Sequence, residues 1–148
     1  MNTVDFVRES NRVEGILRDP TIAEIEAHNG FMQLVRPNVG HLEAFVEIYQ
    51  PEARLRVEAG CNVRVGTHYP PSGGMSILYS LEDLLCNIAY KSPYELHVDY
   101  ETLHPFTDGN GRSGRALWAW HMLNTIGNYN LGFLHTFYYQ ALGASRKD

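Results

Sequence analysis

From Ala116 to Ile126 the chain reads Ala-Leu-Trp-Ala-Trp-His-Met-Leu-Asn-Thr-Ile, which places apolar residues on nearly every side of a helix. A helix that is apolar all round cannot face water and has to be enclosed by other elements. The remainder of the chain must therefore wrap it. The residues just before it are of another kind. His104-Pro-Phe-Thr-Asp-Gly-Asn-Gly-Arg-Ser-Gly-Arg115 holds one imidazole, one carboxylate, one amide, three glycines and two guanidiniums. Asp108 to Gly111 should lead into the helix N-terminus, where unpaired backbone N–H groups and a partial positive charge are found. Arg112 and Arg115, three apart, share a face of the first turn. Each cation at that end is unfavourable by about a few tenths of a kcal/mol, and an anion bound there would relieve both. Glycine-rich backbone, helix N-terminus and arginines together describe a phosphate cradle.

In chain order, residues 3–14 read as a first helix, with Val4, Val7 and Phe6 on its apolar side and Gly15 as its C-cap. Asp19-Pro20 breaks the chain. Thr21 and Glu24 then form a capping-box pattern for a second helix, whose apolar residues are Ile22, Ile25, Met32 and Val35. Leu42, Phe45, Val46 and Tyr49 predict a third helix, and Pro51 to Ala59 a short fourth closed by Gly60. Cys61, Val63 and Val65 alternate with polar residues, and Gly66 to Gly74 is turn and loop, so residues 61–74 read as a small β-hairpin flap. Ile77, Leu78, Leu81, Leu84, Leu85 and Ile88 predict an amphipathic helix. Ser92-Pro93-Tyr-Glu95 caps another that runs toward His104. After a turn at Gly127 to Asn130, Phe133, Phe137, Tyr138 and Ala141 suggest a last helix to about residue 142. The expected architecture is all-α: a single domain over residues 1–148 with one β flap.

At 148 residues the chain can bury a core without staples. A net charge of −5 argues against a general nucleic-acid binder. Cys61 and Cys86 have neither metal-site spacing nor secreted-domain density, which predicts buried free thiols in a reducing cytosol. With no long apolar run and no signal pattern, a cytoplasmic protein without membrane association is expected.

His-x-Phe-x-Asp-Gly-Asn-Gly-Arg-x-x-Arg is the signature of the Fic (filamentation induced by cAMP) domain, and residues 104–115 resemble it at every defined position. The resemblance implies a helical bundle around a buried central helix. It also implies that His104 deprotonates the attacking hydroxyl of a target protein, as an unperturbed pKa of about 6.5 allows near neutral pH. Asp108 is by default a turn residue. The resemblance, and the habit of Mg²⁺ to combine one or two carboxylates with phosphate oxygens, make it a Mg²⁺ ligand. Gly109, Asn110, Gly111, Arg112 and Arg115 are implied to hold the phosphates of ATP. Gly109 to Gly114 also satisfies G-x-G-x-x-G, but that fingerprint needs a preceding strand and a later acidic residue, and the next one is Asp148. A dinucleotide fold is rejected. His97, seven residues before His104, is read as packing or orienting rather than as a metal ligand.

Ser10-x-x-x-Glu14-Gly15 resembles the family's inhibitory motif in its N-terminal position. Residues 1–15 would then form an inhibitory helix, with Glu14 bridging Arg115 and Ser10 seating the helix. Val63-Arg64-Val65-Gly66 to Tyr69-Pro70-Pro71 resembles the flap on which the target segment aligns by backbone pairing. Tyr139 resembles an aromatic of the adenine pocket, although many relatives continue beyond the equivalent of Asp148, so the back of that pocket is expected to differ. The function implied is a protein adenylyltransferase that moves AMP from Mg·ATP to a Ser, Thr or Tyr hydroxyl of a target protein. Self-modification and homo-oligomers are open. So are AMP removal with Glu14 positioning water, and transfer of another nucleotide or a phosphate. Outside that chemistry stand a Mg²⁺-dependent phosphohydrolase of small molecules and a silent nucleotide-binding module.

Overall fold

The computed structural model describes residues 2–130 and Leu134. Among these residues are six α-helices: α1 (Thr3–Val13), α2 (Ile22–Met32), α3 (Val39–Tyr49), α4 (Met75–Cys86), α5 (Pro93–Leu103) and α6 (Asn110–Thr125). A 3₁₀ turn, Ile88–Tyr90, follows α4. The chain is all-α. Every residue from Arg112 to His121 is buried, and α5 lies along α6 while α1, α2 and α3 also contact it. The all-round apolar helix is therefore enclosed, as its composition requires. Burial lapses only at its end, where Ile126 lies past the last turn and is exposed.

The helix starts follow from local chemistry. Thr21 and Glu24 exchange both bonds of a capping box, and Asn38 accepts from the His41 N–H while His41 returns a ring nitrogen to the Asn38 N–H. Ser92 caps α5 through the Glu95 N–H, with Pro93 at the first position. One core cluster joins Leu42, Phe45, Val46, Ile77, Leu81, Leu96, Tyr100, Phe106 and Leu117. A second sits under α1, where Phe6 stacks parallel to Trp118 at 6.4 Å and meets Tyr129 edge-on at 5.0 Å.

Three expectations fail for physical reasons, and one, the small β-hairpin flap, is met in a reduced form. First, α2 does not bury the face read from its apolar residues. Ile22 and Val35 are exposed, Val35 lying beyond the helix, and the buried positions are Glu24, His28 and Phe31. This polar face is tolerated because it is satisfied. Glu24 accepts two bonds from Arg18, at 3.0 and 2.9 Å, and others from Asn11 and the Thr21 N–H, while His28 meets the Tyr129 hydroxyl at 2.9 Å.

Second, Pro51 to Ala59 is not helical. Residues 54–56 run antiparallel to 105–107, with Arg56 N–H donating to the Pro105 carbonyl and Thr107 N–H to that of Arg54. Tertiary pairing overrides good helix formers here. Third, the flap is a hairpin tip more than a ribbon, closed by one bridge between Val65 and His68 around a left-handed Gly66. Fourth, Cys86 ends α4 on its outer side and is exposed, and Cys61 is only half-buried, although both are free thiols. The expected last helix, with Phe133, Phe137, Tyr138, Tyr139 and Ala141, lies outside the described residues. Among those described, no helix is long and apolar enough to cross a membrane.

His28 gives this core a pH dependence. Burial pulls its imidazole down to about 4, so the unfolded chain binds a proton that the folded chain refuses. Stability from this group is complete above about pH 6.5 and falls as pH drops from there toward 4, by roughly 3 kcal/mol in all. Glu24, held below its ordinary value against the cost of its burial by Arg18, Thr21 and Asn11, loses its contribution lower still. Urea unfolding between pH 7 and 4 should show this slope, and His28→Gln should flatten its upper part.

Candidate active site

Helix α5 ends at His104, the one non-glycine among the described residues in the left-handed region (φ 52°, ψ 63°). Such a backbone costs about 1–3 kcal/mol and persists only where its surroundings enforce it. Pro105 cannot continue the helix, and Phe106 plunges into the core. Asn110 then pins Phe106, accepting from its N–H at 2.9 Å and donating to its carbonyl at 2.8 Å. Gly109, at φ 79°, turns the chain into α6, and a Cβ there would meet Val46 at 3.2 Å. No side chain caps α6. The N–H groups of its first turn are left for another partner.

These elements open onto a cavity of about 600 Å³. His104, Asp108 and Gly109 to Arg112 form one side of its lining, and Val63, Arg64 and Val65 of the flap another. Arg112 is buried, with its guanidinium over the Tyr49 ring at 5.4 Å. Its Nε and Nη1 find no hydrogen-bond partner among the described residues. Burial pulls its pKa down, and Glu14 and Asp108 oppose that from nearby. A buried cation with open donors, beside an uncapped helix N-terminus, is a site for an anion.

Arg115 is disposed differently. It does not line the cavity and is fully buried, donating from Nε to Ser10 Oγ at 2.8 Å and from Nη2 to Ser10 O at 3.0 Å. Glu14, at the C-cap of α1, takes a further Nη2 bond at 3.3 Å and lines the cavity itself. Gly111 makes room for this contact, because a Cβ there would strike the Glu14 carboxylate. Asp108 is exposed at the cavity, with Oδ1 accepting the Gly109 N–H at 2.7 Å. Among the described residues no group of three His, Cys, Asp or Glu could hold a metal. One exposed carboxylate beside an anion seat fits Mg²⁺, whose remaining ligands can be phosphate oxygens and water.

A family model matches residues 41–122, described as the Fic/DOC family. The chain belongs to the Fic/DOC family. No curated protein matches the sequence. The family is associated with AMP and nucleotidyl transfer and generally uses Mg·ATP and protein targets. The matched span takes in the flap and the whole Fic motif, whereas Ser10 and Glu14 precede it. His97 packs within the bundle, its Nδ1 3.0 Å from the Gly114 carbonyl. Tyr139 lies outside the described residues.

Several residues of the site lie outside the defined positions of the sequence motifs. Ile16, Gln50, Glu101 and Thr107 complete the cavity lining. Of these, Glu101 had a signal, since it stands one turn before His104 on the same helix face. Asn110 is expected at the phosphates, yet both ends of its amide are used on Phe106, which leaves its backbone N–H for that role. Asn110→Ala should therefore leave two buried backbone groups unpaired and lower the melting temperature without nucleotide, at about 1–3 kcal/mol for each group. An unchanged nucleotide-free melting temperature would return the amide to a ligand role.

Proposed function

We propose that this Fic/DOC chain is a protein adenylyltransferase held in check by Glu14. The observation that carries the reading is the open, buried Arg112 guanidinium, which shares one cavity with His104, Asp108 and the flap. The first-turn N–H groups of α6 and Arg112 hold the phosphates of ATP. Asp108 holds Mg²⁺, which when bound neutralises charge on the phosphates and on the departing pyrophosphate. His104, as neutral imidazole, takes the proton of a Ser, Thr or Tyr hydroxyl presented along the flap. The hydroxyl oxygen bonds to the α-phosphorus as the α–β phosphoanhydride bond breaks, so AMP ends on the protein and pyrophosphate leaves. Backbone N–H groups of the loop face the charge that develops on the α-phosphate.

Inhibition follows from the competition for Arg115. In the present arrangement Ser10 and Glu14 occupy its donors, and the γ-phosphate would need one of them. Because Glu14 also lines the cavity, it supports a second activity of the same site, in which it positions water to remove AMP from a modified protein.

His104→Ala should reduce transfer of α-labelled AMP onto proteins of a cell lysate by about 10²–10⁴-fold, with binding of Mg·ATP retained. Survival of the activity within a few-fold would place the base elsewhere. Glu14→Gly should act in the opposite direction. Each ~1.4 kcal/mol of competition removed is worth about tenfold in productive ATP binding, so activation of roughly 10–1000-fold is expected, with a modestly lower melting temperature from the lost ion pair. Arg115→Ala in the same protein should undo most of the gain. Unchanged transfer in Glu14→Gly would end the inhibitory role and leave the catalytic assignment standing.

A further inference from the structure

Arg56 and Arg115 are the two largest fully buried side chains among the described residues, and only Arg115 belongs to the motif. The guanidinium of Arg56 donates to four backbone carbonyls: His104 at 2.6 Å from Nε, Leu103 at 2.9 Å from Nη2, and Pro71 at 2.8 Å and Cys61 at 3.2 Å from Nη1. No carboxylate is among these partners. Two of the carbonyls are the end of α5 and the candidate base itself, and the other two stand toward either end of the flap. The backbone of Arg56 repeats the connection, its N–H donating to the Pro105 carbonyl and its carbonyl accepting from the Gly74 N–H. A second, weaker tether lies nearer the tip, where the buried His68 has Nε2 3.0 Å from the Thr102 carbonyl. The hairpin has one bridge of its own, so its position is set from outside.

We propose that Arg56 is a positioning residue: through these four carbonyls it fixes the flap relative to His104, and so the place where an incoming hydroxyl meets the base. The planar fork of a guanidinium suits this task because it addresses separate acceptors in fixed directions, whereas a lysine ammonium is a single point. The same bonds hold His104 in its left-handed backbone. A shift of about 1 Å at a reacting group can cost about 10²-fold in rate, so a loosened flap should be felt in turnover more than in nucleotide binding. The anion seat, at Gly109 to Arg112, takes no bond from Arg56.

The rate readout of this proposal rests on the adenylyl-transfer reading, and its structural readouts do not. In the Glu14→Gly protein, Arg56→Lys and, as a milder change that leaves Arg56 in place, His68→Ala are compared with their parent. Amide hydrogen exchange over residues 61–74, the ring NMR signals of His104, the Kd for Mg·ATP and the transfer rate at saturating Mg·ATP are measured. Arg56→Lys should speed exchange over 61–74 by tenfold or more, move the His104 signals, and lower transfer about 10–100-fold, with the Kd for Mg·ATP held within about threefold. His68→Ala should change exchange and rate in the same direction by less. Flap exchange and His104 signals that stay as in the parent would overturn the proposal. A Kd for Mg·ATP that worsens in step with the rate would also overturn it, since Arg56 would then be a staple of the whole fold. Should the Glu14→Gly parent transfer nothing, the adenylyl reading falls by itself, and the exchange and NMR results still decide the role of Arg56.

Discussion

The structure depends on an excess of positive charge at one buried place, the N-terminus of α6. Its first turn carries the helix's partial positive charge, Arg112 and no capping side chain, and Arg115 stands on the same face in the second turn. Such a concentration is unfavourable in a desolvated setting, and the fold meets it in two ways. Arg115 is satisfied from within the chain, by Ser10 and Glu14 on α1. Arg112 rests its face on Tyr49, and two of its donors stay unpaired beside the cavity that the residue lines. The first solution makes α1 part of the site. The second leaves the site incomplete without an anion.

Helix α1 can supply those acceptors only if its C-terminal end is held in place, and its anchoring lies away from the motif. Phe6 packs against Trp118, Tyr129 and His28. Near the other end, Asn11 donates to the buried Glu24 carboxylate, which Arg18 grips from the segment after α1. Arg18 and Asn11 thus bracket Glu14 in sequence and share one acceptor. Glu24 is also the capping-box residue of α2. One carboxylate starts a helix, satisfies a buried face and fixes the segment that reaches Arg115, so the polar face of α2 is as necessary as an apolar one.

Much of this was legible in the sequence, and the failures are instructive. An all-round apolar helix after a glycine-rich charged loop gave the architecture and put Arg112 beside an uncapped helix start, because periodicity and capping are local properties. The resemblance of Ser10-x-x-x-Glu14-Gly15 to the family's inhibitory motif implied a contact with Arg115, and Ser10 and Glu14 both bond that guanidinium. What could not be read were roles created by distant backbone. Pro51 to Ala59 looks helical until Pro105 and Phe106 offer it a pairing edge. Asn110 looks like a ligand until Phe106 takes both ends of its amide. Glu24 and His28 look like a solvent face until Arg18 and Tyr129 arrive from elsewhere in the chain.

Three buried arginines show how far a residue's role is set by what lies around it. Arg56, Arg112 and Arg115 carry the same group, and all three are buried. Their acceptors differ, and the acceptors set what each can do. Arg56 faces four backbone carbonyls, two at the end of α5 and two in the flap, and this suits a fixed clip between those segments. Arg115 faces a serine and the carboxylate of a helix-end residue, a partner that can withdraw at the cost of a bond about a quarter exposed on its acidic side. That suits a contact a phosphate can displace. Arg112 lines the cavity with two donors unpaired, which suits a ligand. A buried guanidinium is thus a clip, a switch or a seat according to whether its acceptor is immovable, removable or missing, and none of these three conditions is written at the arginine's own position in the chain.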